Sequence, residues 1–364
     1  MPGANAEPVA ETFGVPATLD LTTTPLPAPG KGLRMARRPL YPLRFDPLFT
    51  ANIWGGDRLP KLLNRPAPHA DPIGEAWVLS DVPGSESRVC DGPLAGTTLR
   101  DLMAADGERI VGRAAAPQGR FPLLLKFLDA RQELSVQVHP NDEQASKLGP
   151  NKFGKTESWV VLDACAETSR LYAGFAEGVT ADCFRKALAA KTTPSTLHSF
   201  APKVGDCVHL EAGTVHAIGR NLLLFEVQQT SDITYRLWDW DRLDVKTGLP
   251  RELHVEQALA CADFNRGPCW PVVPAVAVSN GVRREGLVSC KYFTLERLTA
   301  SVPFRVGAGG ACRAYVCVKG SGEIENRGAR FPFRTGDVYF VPAECGACVV
   351  VPGEEVTLLE CAPA

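Results

Sequence analysis

From Tyr41 onward the chain alternates short apolar runs with turn-forming residues. The runs are rich in Val, Leu, Ile and aromatics, and Gly, Pro, Asp and Asn separate them. That texture predicts the strands of a β sandwich or barrel. The clearest are Leu123–Phe127, Leu134–Val138, Ser158–Leu162, Cys207–Leu210, Leu222–Val227 and Tyr339–Val341. Helical periodicity is confined to Thr98–Ala104, to Thr180–Ala190 with Thr180 near its start as a cap, and to Val255–Ala260. The expectation is an all-β protein with short helical insertions. Residues 1–34 differ, being rich in Pro, Ala and Thr, poor in aromatics and without a sustained period, so they can bury little surface. They read either as a disordered extension or as a start assigned too early, with Met35 the first residue.

An internal repeat refines this picture. Val204-Gly205-Asp206-Cys207-Val208-His209-Leu210-Glu211-Ala212 reads like Thr335-Gly336-Asp337-Val338-Tyr339-Phe340-Val341-Pro342-Ala343. Upstream, Trp159-Val160-Val161-Leu162 reads like Tyr315-Val316-Cys317-Val318. Two copies of one β unit predict a double barrel that divides near Gly267–Pro274. The expected organisation is residues 1–34 as an extension, 35–268 as a catalytic domain with helical insertions, and 269–364 as a second barrel.

Composition narrows the function. Among 364 residues, 39 Lys and Arg face 41 Asp and Glu, so the net charge of −2 offers no footprint for nucleic acid. The longest apolar stretches are strand-sized, which excludes a helical membrane span. The N-terminus lacks the basic start and apolar core of a secretory signal. The 12 cysteines are scattered rather than clustered, which predicts reduced thiols and a cytoplasmic protein.

Candidate chemistry begins at Leu134-Ser135-Val136-Gln137-Val138-His139-Pro140. Strand alternation puts Gln137 and His139 on one face and Val136 and Val138 on the other. Taken alone, this is an ordinary polar strand face. Glu157 at the mouth of the next apolar strand and His216 after the Glu211–Val215 turn change the balance. The four residues offer two imidazole nitrogens, a carboxylate and an amide oxygen, a set that suits zinc and also iron or manganese. With one carboxylate such a site keeps positive charge, useful beside a developing oxyanion. The repeat aligns Arg313 with Glu157 and Ala347 with His216, so the second copy is expected to bind no metal.

These residues carry a family resemblance. The chain resembles the type I mannose-6-phosphate isomerases in their short bacterial form, members of the cupin superfamily. The matching stretches are Ile53-Trp54-Gly55-Gly56, Gly74-Glu75-Ala76-Trp77, Gly92–Gly96, Phe121–Phe127, Leu134–Asp142, Gly154–Glu157, Ala212–Gly219 and Gln228–Arg236. Their order and spacing hold from about Leu43 to Arg242, and the C-terminal part matches only as a β barrel. The resemblance implies two cupin-type jelly-roll barrels and the interconversion of mannose 6-phosphate and fructose 6-phosphate through an enediol. It implies one Zn2+ per chain on Gln137, His139, Glu157 and His216. It gives catalytic roles to Lys155, Asp232 and Arg236, and substrate contacts to Trp54 and Glu75. A small sugar phosphate is the implied partner, with no nucleic acid and no membrane; the oligomeric state stays open. Glu211 and Arg220 depart from the general cupin pattern and read as turn variation.

Moving a proton between C1 and C2 needs an acid/base group and a positive charge beside the enediolate oxygen. Arg236 stays protonated, so it is expected to stabilise charge rather than act as base. Lys155, Asp232 and a water on the metal are all candidate proton carriers. The competing reading is a non-catalytic metal-binding cupin that binds or senses sugars; it shares the four ligands but not the proton-handling residues. His209 is a weak candidate for the site, and His69, His198 and His254 read as solvated. Cys345-Gly346-Ala347-Cys348 has C-x-x-C spacing but no partner pair and reads as structural. Asp239–Arg242 reads as a strand end and turn, and Gly320-Ser321-Gly322 as a turn without a phosphate loop.

Overall fold

A computed structural model describes residues 39–115, 119–244, 246–307 and 309–364. The extension at 1–34 and the domain start at residue 35 lie outside the described residues. The first part of the fold contains β1 (Leu48–Gly56), α1 (Arg58–Leu62), β2 (Ile73–Leu79), a short ribbon of β3 (Asp81–Val82) and β4 (Ser85–Glu86), α2 (Leu99–Val111), β5 (Leu123–Ala130), β6 (Val136–Val138) and α3 (Asp142–Ser146). It continues through β7 (Glu157–Ala164), β8 (Leu171–Phe175), α4 (Ala181–Ala189), β9 (Leu197–Phe200), β10 (Cys207–Leu210), β11 (His216–Ile218), β12 (Leu222–Gln229), β13 (Tyr235–Trp238) and α5 (Val255–Cys261). The remainder is strand: β14 (Ala275–Ser279), β15 (Val282–Ser289), β16 (Phe293–Ala300), β17 (Phe304–Val306), β18 (Arg313–Lys319), β19 (Ser321–Asn326), β20 (Ala329–Arg334), β21 (Val338–Val341), β22 (Cys348–Pro352) and β23 (Val356–Pro363).

The repeat is visible in the topology. One six-stranded sheet has the order β1-β2-β5-β12-β7-β10, and a second has β14-β15-β16-β23-β18-β21. Position by position these are the same order. Each faces a smaller sheet, β13-β6-β11-β8-β9 in the first copy and β17-β22-β19-β20 in the second. The register repeats as well: Glu157 lies opposite Leu210, and Arg313 lies opposite Val341. The fold is mostly β, as expected. Hydrogen bonding leaves every sheet with two edges, so the copies are two-sheet sandwiches in pairing terms rather than closed barrels.

Three apolar clusters hold these layers together. Trp159, Leu128, Val161, Leu210 and Leu224 fill the first sandwich. Val136, Val138, Phe175 and Leu237 on the outer face of the smaller sheet are covered by Phe184 of α4 and Ala258 of α5. The largest cluster joins Leu125, Phe127 and Phe225 on the outer face of the first large sheet to Leu298, Val316 and Phe340 of the second copy. Phe121 and Phe340 meet edge to face across this contact at 5.4 Å. β5 and β12 therefore have both faces buried, which explains why they read as continuous apolar runs rather than alternating ones.

The helices start where their caps stand. Thr98 accepts the Asp101 N–H and Thr180 the Cys183 N–H. α2 runs past the predicted Ala104 to Val111, through a non-helical Asp106, because Ile110 and Val111 are buried on the core. α3 carries a reciprocal cap between Asn141 and Gln144 that the predicted elements lack. No helix among the described residues is long and apolar enough to cross a membrane.

Candidate metal centre and active-site cavity

Two neighbouring strands of the small sheet and one of the large sheet set the donor geometry. Gln137 on β6 lies directly opposite His216 on β11 and Arg236 on β13. Glu157 opens β7 in the facing sheet, and His139 follows β6 by one residue. Gly213 makes the turn that delivers His216. Its φ of +89° suits glycine, its N–H donates to the His139 carbonyl at 2.9 Å, and an added Cβ would meet the Cys261 carbonyl at 3.2 Å.

Both imidazoles are oriented from behind. His139 Nδ1 lies 2.8 Å from the Ile233 carbonyl oxygen and His216 Nδ1 2.8 Å from the Thr214 carbonyl oxygen. A carbonyl can only accept, so each Nδ1 carries the proton and each Nε2 presents a lone pair. Those lone pairs converge on one carboxylate: His216 Nε2 is 3.3 Å from Glu157 Oε1, and His139 Nε2 is 3.6 Å from Glu157 Oε2. The ligand atoms of the three lie within 4.8 Å of one another, and all three residues are buried. Burial, reinforced at His139 by the adjacent Lys155 ammonium, pushes both imidazoles below their ordinary pKa and keeps them neutral. Against the cost of burial, Lys155 holds the Glu157 carboxyl well below the usual range.

The donor set fits a metal ion. Both Glu157 oxygens are buried, and neither meets a neutral donor: what faces them is the two imidazole lone pairs and the Lys155 ammonium. Two lone pairs and a carboxylate facing each other call for a cation between them. In the chain itself that cation is Lys155, whose Nζ stands 2.8 Å from Glu157 Oε2 and 3.1 Å from His139 Nε2. Gln137 is beside the set, its amide nitrogen 3.3 Å from His216 Nε2 and its Oε1 accepting from Ser135. An amide can be turned about its axis, which would aim the oxygen at the same point.

The cavity above the donors measures about 340 Å³. Trp54, Glu75, Gln137, Lys155, Glu157, Asp232 and Arg236 all line it. With His139 and His216 in its floor, every predicted site residue is gathered in one place. Asp232 is exposed at the rim without an ion pair. The Arg236 head donates to the Glu252 carbonyl at 2.8 Å while its buried Nε is unpartnered. It pairs with neither Asp232 nor Asp239. Asp239 instead takes Arg242 and Arg251, each at 2.6 Å. Three guanidiniums thus surround one carboxylate, and burial together with Arg251 works against the charge on Arg236.

Besides Arg251, two charged residues of the cavity escaped the sequence reading. Lys126 and Glu226 lie directly opposite each other on β5 and β12, 3.3 Å apart, both buried. Lys126 also approaches Glu75 at 3.6 Å, and Trp159 Nε1 donates to Glu226 at 3.2 Å. Burial and the nearby Glu157 charge push the Glu226 carboxyl up to about 7. Three carboxylates therefore share this wall with two ammoniums. The available signal was a lone charge inside each continuous apolar run, Leu-Leu-Leu-Lys126-Phe-Leu and Leu-Leu-Leu-Phe-Glu226-Val.

The secondary candidates fall elsewhere. His209 points away from the cavity, 2.8 Å from Ser158 Oγ and against Phe293. His69 is exposed, as expected. His198 is not simply solvated: its ring lies 4.1 Å from that of Trp270. His254 accepts the Arg236 N–H at 3.3 Å and so braces β13. Cys345 and Cys348 are buried and free. Glu211 and Arg220 make ion pairs to Arg266 and Glu133, in keeping with turn variation.

Comparison with known proteins agrees with this arrangement. The profile of the phosphomannose isomerase type I catalytic domain matches residues 43–157. The mannose-6-phosphate isomerase ManA of Bacillus subtilis is 32% identical over 314 residues, covering 84% of this chain and 94% of that protein. A mannose-6-phosphate isomerase of Streptococcus mutans is 32% identical over 302 residues, covering 82% of this chain and 92% of its own length. The crystal structure of the mannose 6-phosphate isomerase from Bacillus subtilis superposes with a TM-score of 0.79 at 28% identity, covering 88% of this chain and 99% of that one. With the fold, the His/Glu/His cluster and near full-length relatives in agreement, the chain belongs to the type I phosphomannose isomerases and is an isomerase.

Proposed function

We propose that this chain interconverts mannose 6-phosphate and fructose 6-phosphate through an enediol, using one zinc ion held by Gln137, His139, Glu157 and His216. The observation that carries the reading is the convergence of two imidazole lone pairs on the buried Glu157 carboxylate, inside a cavity that also holds Lys155, Asp232 and Arg236. Nitrogen and oxygen donors in this number suit zinc. When bound, the metal supplies Lewis-acid stabilisation of negative charge on the sugar oxygens. Lys155 and a metal compete for the same carboxylate, so the occupied centre leaves the Lys155 ammonium free to face substrate.

The remaining roles follow from position. Arg236 lies beside ligand Gln137 in register and is placed to meet charge developing at the reacting end of the sugar. Arg251 lines the same cavity within the guanidinium cluster at Asp239, and we assign it the phosphate. Lys155 and Asp232 are the proton carriers, with Glu226 and Lys126 as the charged wall behind them. Trp54 and Glu75 bound the sugar. A volume at the small end for ligand pockets suits a compact polar substrate.

We read each sandwich as a cupin-type jelly roll, with 35–268 the catalytic part and 269–364 the part that binds no metal. Free thiols throughout support a reducing, cytoplasmic setting. The experiment is the formation of fructose 6-phosphate from mannose 6-phosphate, with and without a chelator. Turnover that chelation abolishes and zinc restores is expected. Binding of mannose 6-phosphate without conversion would defeat the proposal.

A further inference from the structure

A second cavity, about 440 Å³, opens where α3 and the loop before β7 meet the second copy. None of its lining residues lines the catalytic cavity. Arg120, Lys152 and Lys291 stand around it, with Phe153 and Tyr292 in its walls. Ala364, the last residue, lines it with its terminal carboxylate, and the one acidic side chain, Asp142, is already engaged: it accepts Gly154 N–H at 3.0 Å, Gln229 Nε2 at 3.0 Å and the Tyr292 hydroxyl at 2.7 Å. Only Lys291 approaches it, at 3.6 Å.

Neither of the other two cations forms an ion pair among the described residues. Arg120 is 7% exposed, and the hydrogen bond it makes there is a 3.4 Å contact with the Asn151 carbonyl. Its guanidinium lies over the Phe153 ring at 4.7 Å. Asp81, the acid whose charge acts on Arg120, makes its ion pair with Arg100 instead, at 2.7 Å. Lys152 has no partner among the described residues. A buried guanidinium short of acceptors costs stability unless an anion completes it.

We propose that this cavity is a second binding site, for a small phosphorylated molecule. A phosphate dianion, with its greater charge and three acceptor oxygens, accepts from a guanidinium and two ammoniums at once. The aromatic and proline walls would take the organic body. The site adjoins the catalytic loops: Ser231 donates to the Phe153 carbonyl at 2.8 Å, tying the segment before Lys155 to the segment before Asp232. A ligand on Phe153 therefore bears on both.

The test is equilibrium dialysis of the full chain with labelled inorganic phosphate as probe. Wild type is expected to bind two phosphates, one in each cavity. Lys152→Glu, which reverses an exposed charge, and Ser146→Trp, which fills the exposed rim, each leave one. Arg120→Gln weakens the second phosphate at least tenfold if it folds, as a melting curve will show. An Arg236→Ala/Arg251→Ala double variant loses the other phosphate, so failure at the catalytic cavity is read separately. A stoichiometry that both Lys152→Glu and Ser146→Trp leave at the wild-type value overturns the proposal.

Discussion

The two copies of the β unit hold the same strand positions and solve the same electrostatic problem differently. In each, an acid stands on the strand that pairs with the ligand-bearing one: Glu226 opposite Trp159, and Glu360 opposite Tyr315. At the first residue of the next strand the copies diverge. The second places Arg313 there, 3.2 Å from Glu360, and that acid has its cation. The first places Glu157, which adds a buried carboxylate and brings two neutral imidazoles against it. Where the second copy has exposed Ala347, the first has His216, buried to 1% exposure. One sandwich answers its half-buried acid with a single arginine on the adjacent strand, and the other gathers two acids, two lysines and two imidazole lone pairs around the same positions. A site can thus be built on a structural fold by changing the charges at a few strand positions and keeping the fold.

The comparison breaks most visibly at His216. His216→Ala removes one of two lone pairs from the donor set, and we expect metal content near zero and turnover reduced at least ~10³-fold, by the loss of both ligand and charge stabilisation. Elemental analysis and the coupled assay check this. A variant that keeps one ion per chain would show that the metal sits elsewhere.

Arg236→Ala comes next. Its guanidinium is spectator to the fold, with one hydrogen bond and a buried unpartnered Nε. Metal and melting temperature should stay near wild type while kcat falls on the order of 10²–10³, the cost of a lost oxyanion donor. Lysine should recover little, because a point charge on a flexible stem does not reproduce the planar fork. Wild-type turnover would assign Arg236 to structure. Lys155→Met separates the chain's own cation from the metal: with the competing ammonium gone from Glu157, metal should bind no more weakly, yet kcat should fall about 10²-fold if Lys155 carries a proton. Weaker metal binding would mean that Lys155 supports the centre rather than competes with it.

The same position in the second copy should respond in stability alone. Arg313→Ala leaves the half-buried Glu360 with the Tyr315 hydroxyl but without its cation, at a cost of ~1 kcal/mol with catalysis per folded molecule unchanged. Replacing both Arg313 and Glu360 by apolar residues should recover much of that loss. Metal bound by the second copy in wild type would end the contrast.

Much of this was legible in the chain. The strand runs, the repeat and the His139, Glu157 and His216 cluster were readable because turn residues punctuate apolar strands and because these three sit at strand ends with recognisable neighbours. The equivalence of Glu157 and Arg313 was readable from the matching runs Trp159–Leu162 and Tyr315–Val318, and that of His216 and Ala347 from the aligned Gly-Asp turns. Lys126 and Glu226 were not, because each is a lone charge in a run whose other members bury both faces, and the pairing that unites them spans 100 residues of chain. The guanidinium cluster at Asp239 was hidden for a similar reason: Asp239–Arg242 reads as a turn until Arg251 is folded back onto it. The open sheets follow from edge strands, which no single strand's sequence announces.

The smallest expected effect concerns how the copies are joined. Arg109, from the α2 insertion of the first copy, forms an ion pair with Glu344 in the turn that follows β21 of the second, and Glu344 also accepts the Leu40 N–H at 3.1 Å. The Arg109 hydrogen bond holds the Glu344 carboxyl down to about 2, below its value in an unfolded chain. A depressed acid contributes stability that is fully present above its unfolded pKa of about 4.3 and is lost as pH falls through the folded value of about 2. The Glu344 side chain is 26% exposed, so solvent screening reduces the contribution to ~1 kcal/mol. Glu344→Gln should therefore unfold at lower urea than wild type at pH 7, and the gap should close as pH is lowered from about 4.5 towards 3. Turnover at pH 7 and metal content should not change, because neither residue lines the catalytic cavity. A gap that stays constant with pH would mean that shape, not charge, is what Glu344 contributes between the copies.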